Sequence, residues 1–177
     1  MSKPPAAMRT NERHPDKHFP PDEHLFRRVP LSLWQDRDER PGPDAVKLPD
    51  LSVGRSKYAH AEWLRFDAVK NQHYEEWGIL GVKVEDIPPE FWDLAVDNYT
   101  FETRHDPQVN DYPHCEVRVF RNGAHVNLDD VLPEAIHLKW RLALLKKMRA
   151  IIEPYQVVPT RQNPPLSHKL EPLPTAT

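Results

Sequence analysis

Four side chains that can bind a metal ion or transfer a proton stand close together in one short stretch of the chain. They are His105, Asp106, His114 and Glu116. Two imidazoles with one or two carboxylates can hold a divalent transition metal and leave one coordination position open. A metal bound in this way activates water for hydrolysis. These four residues are therefore the candidate metal ligands of the chain.

The same stretch also permits acid–base chemistry without a metal. His105, His114 and Glu116 are then the candidate catalytic residues, with His114 as a general base that Glu116 orients. Arg55, Asn110 and Arg118 are the candidate substrate-binding residues, because an arginine can stabilise an anion. The competing interpretation is structural, since His105-Asp106-Pro107 is also a turn sequence and His-x-Glu is a short pattern. Both interpretations stay open at this point.

The element that positions these residues is a hairpin centred on Asn122-Gly123, a dipeptide typical of a type I′ turn. A two-residue turn pairs Phe120 with His125 and Val119 with Val126. Successive side chains of a strand point to opposite faces, so the hairpin has two faces of different character. The predicted apolar face carries Cys115, Val117, Val119, Val126 and Leu128. The predicted polar face carries His114, Glu116, Arg118, Phe120, His125 and Asn127.

The segment before the hairpin, 99–104, alternates in the same way and predicts a third strand. The loop between the two strands, 105–113, is rich in proline, aspartate and asparagine, which form turns. Long loops on rigid strands frequently carry binding residues. The four candidate ligands are thus expected at one end of the sheet.

The remaining patterns predict an α+β fold. A buried strand is expected over 79–84, and helices are expected over 59–77, 88–96 and 131–152. The prediction is a small antiparallel sheet of about four or five strands, with a long C-terminal helix packed on one face.

Proline separates the chain into three parts, because most of the 20 prolines lie near the two ends. Residues 1–50 are predicted to be a proline-rich N-terminal arm with a short edge strand near 25–34. Residues 51–153 are predicted to be a single α+β domain, and residues 154–177 a proline-rich tail. Such arms are expected to be extended when no partner is present.

Composition narrows the classes of function. The net charge of −3 gives no indication of a nucleic-acid partner. The single cysteine, Cys115, excludes an internal disulfide, and its position on the apolar face favours a core residue over a nucleophile. No apolar run is long enough to span a membrane, so a cytoplasmic protein is expected.

The segments LSVGR (51–55) and HDPQVNDYPH (105–114) resemble a recurrent pair of segments in small, uncharacterised bacterial proteins. The resemblance covers about a third of the chain. It implies a bacterial source, and it implies that Arg55, His105, Asp106, Asn110 and His114 belong to one site. It attaches no activity to that site.

Two function hypotheses follow. In the first, the chain is a small bacterial binding or accessory protein that docks on a larger protein partner through the 105–114 loop and its proline-rich arms. In the second, it is a small metal-dependent or histidine-based hydrolase or nuclease that acts on a phosphate-containing substrate. The first is favoured because the arms cannot bury themselves and no complete catalytic set is present.

Overall fold

The computed structural model describes residues 14–34, 41–67, 70, 72–92, 97–109, 111–130 and 132–154, and it describes residues 91, 92, 135 and 136 by their backbone alone. The strands are β1 (His24–Val29), β2 (Asp50–Arg55), β3 (Phe66–Asp67), β4 (Gln72–His73), β5 (Gly78–Lys83), β6 (Glu90–Trp92), β7 (Asn98–His105), β8 (His114–Arg121), β9 (Ala124–His125) and β10 (Arg149–Ile152). The α-helix is α1 (Glu134–Lys147), and short 3-10 helices span Leu31–Leu33, Pro43–Ala45, Ala61–Arg65 and Val84–Asp86. The fold is therefore mixed and dominated by β-structure.

The main sheet has the strand order β10-β5-β1-β2-β8-β7-β6, with β9 paired to β8. Every neighbouring pair is antiparallel. The predicted four or five strands are too few, because β6 and β10 form within segments that were predicted to be helical. Each of these short strands supplies hydrogen-bond partners to an otherwise open edge, β6 to β7 and β10 to β5.

The predicted hairpin is confirmed. Asn122 and Gly123 both have positive φ, at 50° and 83°, and Phe120 pairs with His125. The predicted third strand is present as β7, which pairs Phe101 with Val119. Leu128 departs from the prediction and is 75% exposed. The reason is that β9 ends at His125, so the alternation of the hairpin does not extend as far as residue 128.

Strand β1 forms where a strand was expected, but it is central and not at an edge. It lies between β2 and β5, and it pairs along its whole length with β5. Pro30 follows the last residue of β1, so the missing N–H of proline removes no hydrogen bond from the ladder. Leu25 and Val29 of this strand are fully buried in the main core. The segment before residue 50 therefore contributes to the same core as the rest of the sheet.

The helices are shorter than predicted. Helix α1 has 14 residues and ends at Lys147, after which the chain pairs with β5 as β10. The segment predicted as a helix over 59–77 instead forms the 3-10 helix Ala61–Arg65 and the β3–β4 hairpin. The guanidinium of Arg65 donates hydrogen bonds to the carbonyls of Trp77 and Glu153, and these tertiary contacts override the local helical pattern. Among the described residues, no helix combines the length and apolarity needed to cross a bilayer.

Helix α1 packs against one face of the sheet, as predicted. Trp140 stacks on Phe101 of β7 with ring centres 4.1 Å apart, and Leu144 is fully buried beside it. Leu138 and Leu142 on the same helix are 44% and 40% exposed. The packed stripe is therefore narrow, and Trp140 is its largest member.

We expect the substitution Trp140→Ala to lower the free energy of unfolding by about 3–5 kcal/mol, because it empties the largest buried site under α1. Leu142→Ala on the same helix is the matched control, with an expected change within about 0.5 kcal/mol. Urea unfolding followed by circular dichroism measures both values. Equal losses for the two variants would contradict the packing described here.

Candidate functional site

Strand alternation divides the four candidate ligands between two faces of the sheet. Across β7 and β8, His105 pairs with Cys115, whose side chain is buried in the main core. We call the face that carries Cys115 the core face, and the opposite face, which carries His114 and Glu116, the outer face. His105 therefore lies on the core face, and the structure does not bring it together with His114 and Glu116.

On the outer face, Asp106, His114 and Glu116 come close together. One ligand atom from each residue lies within 4.8 Å of those of the other two. Ligands of a tetrahedral zinc ion lie roughly 3.3 Å from one another, given bond lengths of about 2.0–2.1 Å. The three side chains would therefore have to close by more than an ångström around a bound ion. The Asp106 side chain, half exposed, can move in this way.

The ring of His114 has an orientation that suits a metal ligand. Its Nδ1 lies 2.7 Å from the main-chain carbonyl of Asp106, and a carbonyl can only accept, so Nδ1 carries the proton. Its Nε2 is then the acceptor and receives the hydroxyl of Ser52 at 3.1 Å. Histidines that bind metals usually donate their second ring nitrogen to a carbonyl or carboxylate.

Ser52 was not among the predicted site residues. It lies on β2 and pairs directly with Glu116 of β8, which places it on the outer face beside His114. The signal in the sequence is the alternation of Leu51, Ser52 and Val53, which puts the serine on the face opposite the two apolar residues. The partner strand of β2 cannot be read from that pattern, so the contact with His114 was not predictable.

Arg118 lies between the two carboxylates of the outer-face cluster. Its guanidinium contacts Oε2 of Glu116 at 2.7 Å and Oδ2 of Asp106 at 3.2 Å. The hydrogen bond to Glu116 is the main cause of the raised pKa of Arg118. A positive charge thus already compensates the two carboxylates, and a metal ion would compete with it. Arg118, predicted to bind substrate, is here a partner of the candidate ligands.

His105 is held on the core face by both ring nitrogens. Nε2 donates to the carbonyl of Tyr112 at 2.6 Å, and Nδ1 accepts the main-chain N–H of Asp16 at 2.8 Å. The ring stacks on Tyr58, with centres 5.5 Å apart. Burial lowers the pKa of His105, so the neutral ring is favoured. In this arrangement the imidazole connects the β7–β8 loop to the N-terminal segment.

Arg55, also predicted to bind substrate, is completely buried. Its Nε and Nη2 donate to the two carboxylate oxygens of Glu23 at 2.9 and 2.6 Å. Its remaining donors reach the main-chain carbonyls of Asp16 and His18 and the carboxylate of Asp16. A guanidinium has five N–H groups, and these five contacts match them. Arg55 therefore fixes the N-terminal segment to the end of β2.

The loop between β7 and β8 is braced from both faces. His105 donates to the carbonyl of Tyr112, and His114 donates to the carbonyl of Asp106. Main-chain hydrogen bonds between Gln108 and Asp111 close the tip. Val109 stands at this tip with 78% of its surface exposed, whereas Asn110, the third predicted substrate-binding residue, lies outside the described residues. Hydrogen bonds thus hold both ends and the tip of the loop, and the tip presents an apolar side chain.

A small cavity of about 20 Å³ lies beside His114, between the loop and the outer face. Arg28, Ser52 and Asp111 contribute polar groups to its wall, and Oδ1 of Asp111 is buried without a hydrogen-bond partner. Burial raises the pKa of the Asp111 carboxyl. A polar cavity of this size has room for one water molecule, which would satisfy the carboxylate oxygen. It is far smaller than the 300 Å³ or more of a typical small-molecule site.

Cys115 is a core residue, as the hairpin pattern predicted. Its side chain is fully buried, and burial raises the pKa of the thiol well above its ordinary value. The neutral thiol packs among the apolar residues of the core face.

No protein-family model, curated protein or solved structure matches this chain. The assignment of a function therefore depends on the geometry of the chain itself.

We expect the lowered pKa of His105 to make the fold less stable in mild acid. The unfolded chain binds a proton at this histidine near pH 6.5 and the folded chain only at lower pH. The free energy of unfolding should therefore decrease as the pH falls below about 6.5.

The measurement is urea unfolding between pH 7.5 and 5.0 for the wild type and His105→Gln, which should lose less stability over this range. His73→Gln is the control, because the side chain of His73 is 39% exposed. The same pH dependence in all three proteins would show that His105 titrates normally in the folded chain.

Proposed function

We propose that this chain is a small binding or accessory protein that docks on a larger protein partner through its β7–β8 loop. The observation that carries the proposal is the bracing of this loop by His105 and His114, with Val109 exposed at the tip. A loop held in one conformation loses little conformational entropy when it binds, so its contacts contribute more fully to affinity. The bacterial source and cytoplasmic location remain predictions from the sequence.

The charges around the loop support a protein partner over a polyanion. On the outer face of β2, β7 and β8, acidic side chains outnumber the arginines. The acidic residues are Asp50, Glu102 and Glu116, with Asp106 at the start of the loop, and the arginines are Arg104 and Arg118. This excess of negative charge disfavours the approach of a phosphate backbone. Basic or polar side chains of a protein complement such a face.

Photocrosslinking tests this proposal in cells that naturally produce the chain. A photoreactive phenylalanine analogue at position 109 should form a specific adduct with one partner protein, whereas the analogue at position 128 should not. Leu128 is a matched control because it is exposed to a similar degree, 75%, and follows β9 instead of lying in the β7–β8 loop.

The same crosslinking experiment can be repeated in a variant whose β7–β8 loop is less constrained. His114→Ala removes the brace at Asp106 and should reduce the yield of the adduct at position 109. The same adducts at both positions, or an adduct at position 109 that His114→Ala does not affect, would count against a preorganised docking loop.

A second candidate function is that of a metal-dependent hydrolase, favoured by the cluster of Asp106, His114 and Glu116. In that role the three side chains hold a divalent transition metal that activates water, and Arg118 contacts the anionic substrate. This function ranks second for two reasons. The cavity beside His114 is far smaller than a typical small-molecule site, and the excess of acidic residues disfavours an anionic substrate. The metal-free form of this hypothesis needs His105 and His114 in one site. His105 lies on the opposite face of the sheet and cannot take part.

Metal titration of the purified, chelator-treated chain tests the second candidate. If the cluster is a metal site, one equivalent of Zn²⁺ or Mn²⁺ should bind, and His114→Ala should weaken binding at least tenfold. His105→Ala is the matched control, because it also removes a loop brace but lies on the opposite face. Arg118→Gln should tighten binding, since the competing positive charge is removed. Equal losses for His105→Ala and His114→Ala, or no binding at all, would exclude the metal site.

A further inference from the structure

The N-terminal segment 14–22 lies across the core-face end of the sheet as an extended peptide. None of its nine residues is buried, and Phe19 and Pro20 are only partly covered. Its contacts with the rest of the chain are largely polar. The main-chain carbonyl of His14 accepts a hydrogen bond from Tyr112, and those of Asp16 and His18 accept hydrogen bonds from Arg55. The chain is thus bound here mainly by its backbone.

One side chain of the segment occupies a prepared anion site. Oδ2 of Asp16 receives Nζ of Lys57 at 2.8 Å and the hydroxyl of Tyr58 at 2.5 Å, and Nη1 of Arg55 lies 3.3 Å away. These donors hold the pKa of the Asp16 carboxyl well below its usual range, with the hydrogen bond from Lys57 as the largest cause. The three donors lie within residues 55–58, at and just after the end of β2, and none of them belongs to the segment that fills the site.

Phe19 is the second side chain of the segment that contacts Arg55. The ring centre of Phe19 lies 3.9 Å from the guanidinium carbon of Arg55, a close cation–π contact. We call the surface formed by Arg55, Lys57, Tyr58, His105 and Tyr112 the Asp16 groove. The Asp16 groove therefore contacts a carboxylate, an aromatic ring three residues later, and the backbone between them.

Part of the hold on the segment comes from partly exposed ion pairs, which are individually weak. Partly exposed ion pairs such as Lys57–Asp16 typically contribute about 0–1 kcal/mol. Phe19 is partly buried against the main core and adds only part of the hydrophobic contribution of a fully buried ring. Its connection to β1 keeps it near the groove at an effective concentration of the order of millimolar. A free peptide with the same contacts can replace it only by overcoming that tether.

We propose that the Asp16 groove is a recognition site for an acidic Asp-x-x-Phe peptide of the protein partner, and that residues 14–19 occupy it in cis until the partner displaces them. The proposal rests on the docking function, because the groove includes His105 and Tyr112, which also brace the β7–β8 loop. A partner peptide in the groove would lie beside this loop, so one partner could contact both surfaces. Glu23 keeps Arg55 paired when the segment leaves.

Peptide binding to the full chain tests the proposal directly. The probe is a fluorescent peptide with the sequence of residues 14–21, HPDKHFPP, titrated by fluorescence anisotropy. The double variant Asp16→Ala/Phe19→Ala, which removes the two recognised side chains of the segment, should bind it at least tenfold more tightly than the wild type. The control is Lys17→Ala/His18→Ala, whose side chains are exposed in the same segment, and it should bind like the wild type.

Three further measurements define the specificity. A peptide with asparagine in place of aspartate should bind at least tenfold more weakly to the double variant. The addition of Lys57→Ala to the double variant should also weaken binding of the original peptide. In the wild type, millimolar peptide should accelerate hydrogen exchange of the Asp16 amide, which normally donates to His105. This last measurement keeps the proposal testable if the double variant does not fold.

No binding to a folded double variant, or equal binding of the aspartate and asparagine peptides, would overturn the proposal. A wild-type dimer that disappears in the double variant would assign the groove to a second copy of this chain and overturn the separate partner. The crosslinking experiment at position 109 does not depend on the groove. A crosslink without peptide binding would therefore reject the groove alone, whereas peptide binding without a crosslink would reject the docking loop.

Discussion

The burial of the Arg55 charge is the constraint on which this structure depends. A guanidinium removed from water must be paired and fully hydrogen-bonded, and the loss of a partner from such a pair typically costs about 3–5 kcal/mol. The carboxylate of Glu23 and the backbone of residues 16–18 supply those contacts. These partners precede β1, while Arg55 ends β2. The Arg55 side chain thereby connects the N-terminal segment to the end of β2, and the main-chain N–H of Arg55 donates to the carbonyl of Pro113 in the β7–β8 loop.

The two faces of one sheet explain how two histidines near each other in sequence come to act separately. His105 ends β7 on the core face, and His114 begins β8 on the outer face. Each gives one ring N–H to a main-chain carbonyl of the loop between them. The loop is thus held from both sides of the sheet, and it has a different neighbour on each side. On the core face it adjoins the Asp16 groove, and on the outer face it adjoins the carboxylates of Asp106 and Glu116.

The outer-face cluster and the Asp16 groove differ in how their charges are compensated. On the outer face, Arg118 already neutralises two carboxylates, so a metal ion must replace a favourable ion pair. On the core face, Glu23 pairs with Arg55, whereas Asp16 of the N-terminal segment pairs with Lys57 and lies 3.3 Å from Arg55. Displacing that segment exposes donors that another carboxylate can satisfy. The core-face contact is therefore the easier one to exchange, which favours recognition over catalysis for this chain.

Local patterns were sufficient for the elements whose geometry is set within a few residues. The Asn122-Gly123 turn determined the pairing of β8 with β9, a continuous apolar run identified β5, and alternation identified β7 and the core position of Cys115. The central place of β1, the end of α1 at Lys147 and the pairing of Ser52 with Glu116 depended on which strands lie side by side. His105 shows the limit most clearly. A two-residue turn fixes the register of its strands, whereas a long loop leaves open which face its two ends occupy, and only the packing of the whole sheet decided that His105 and His114 point in opposite directions.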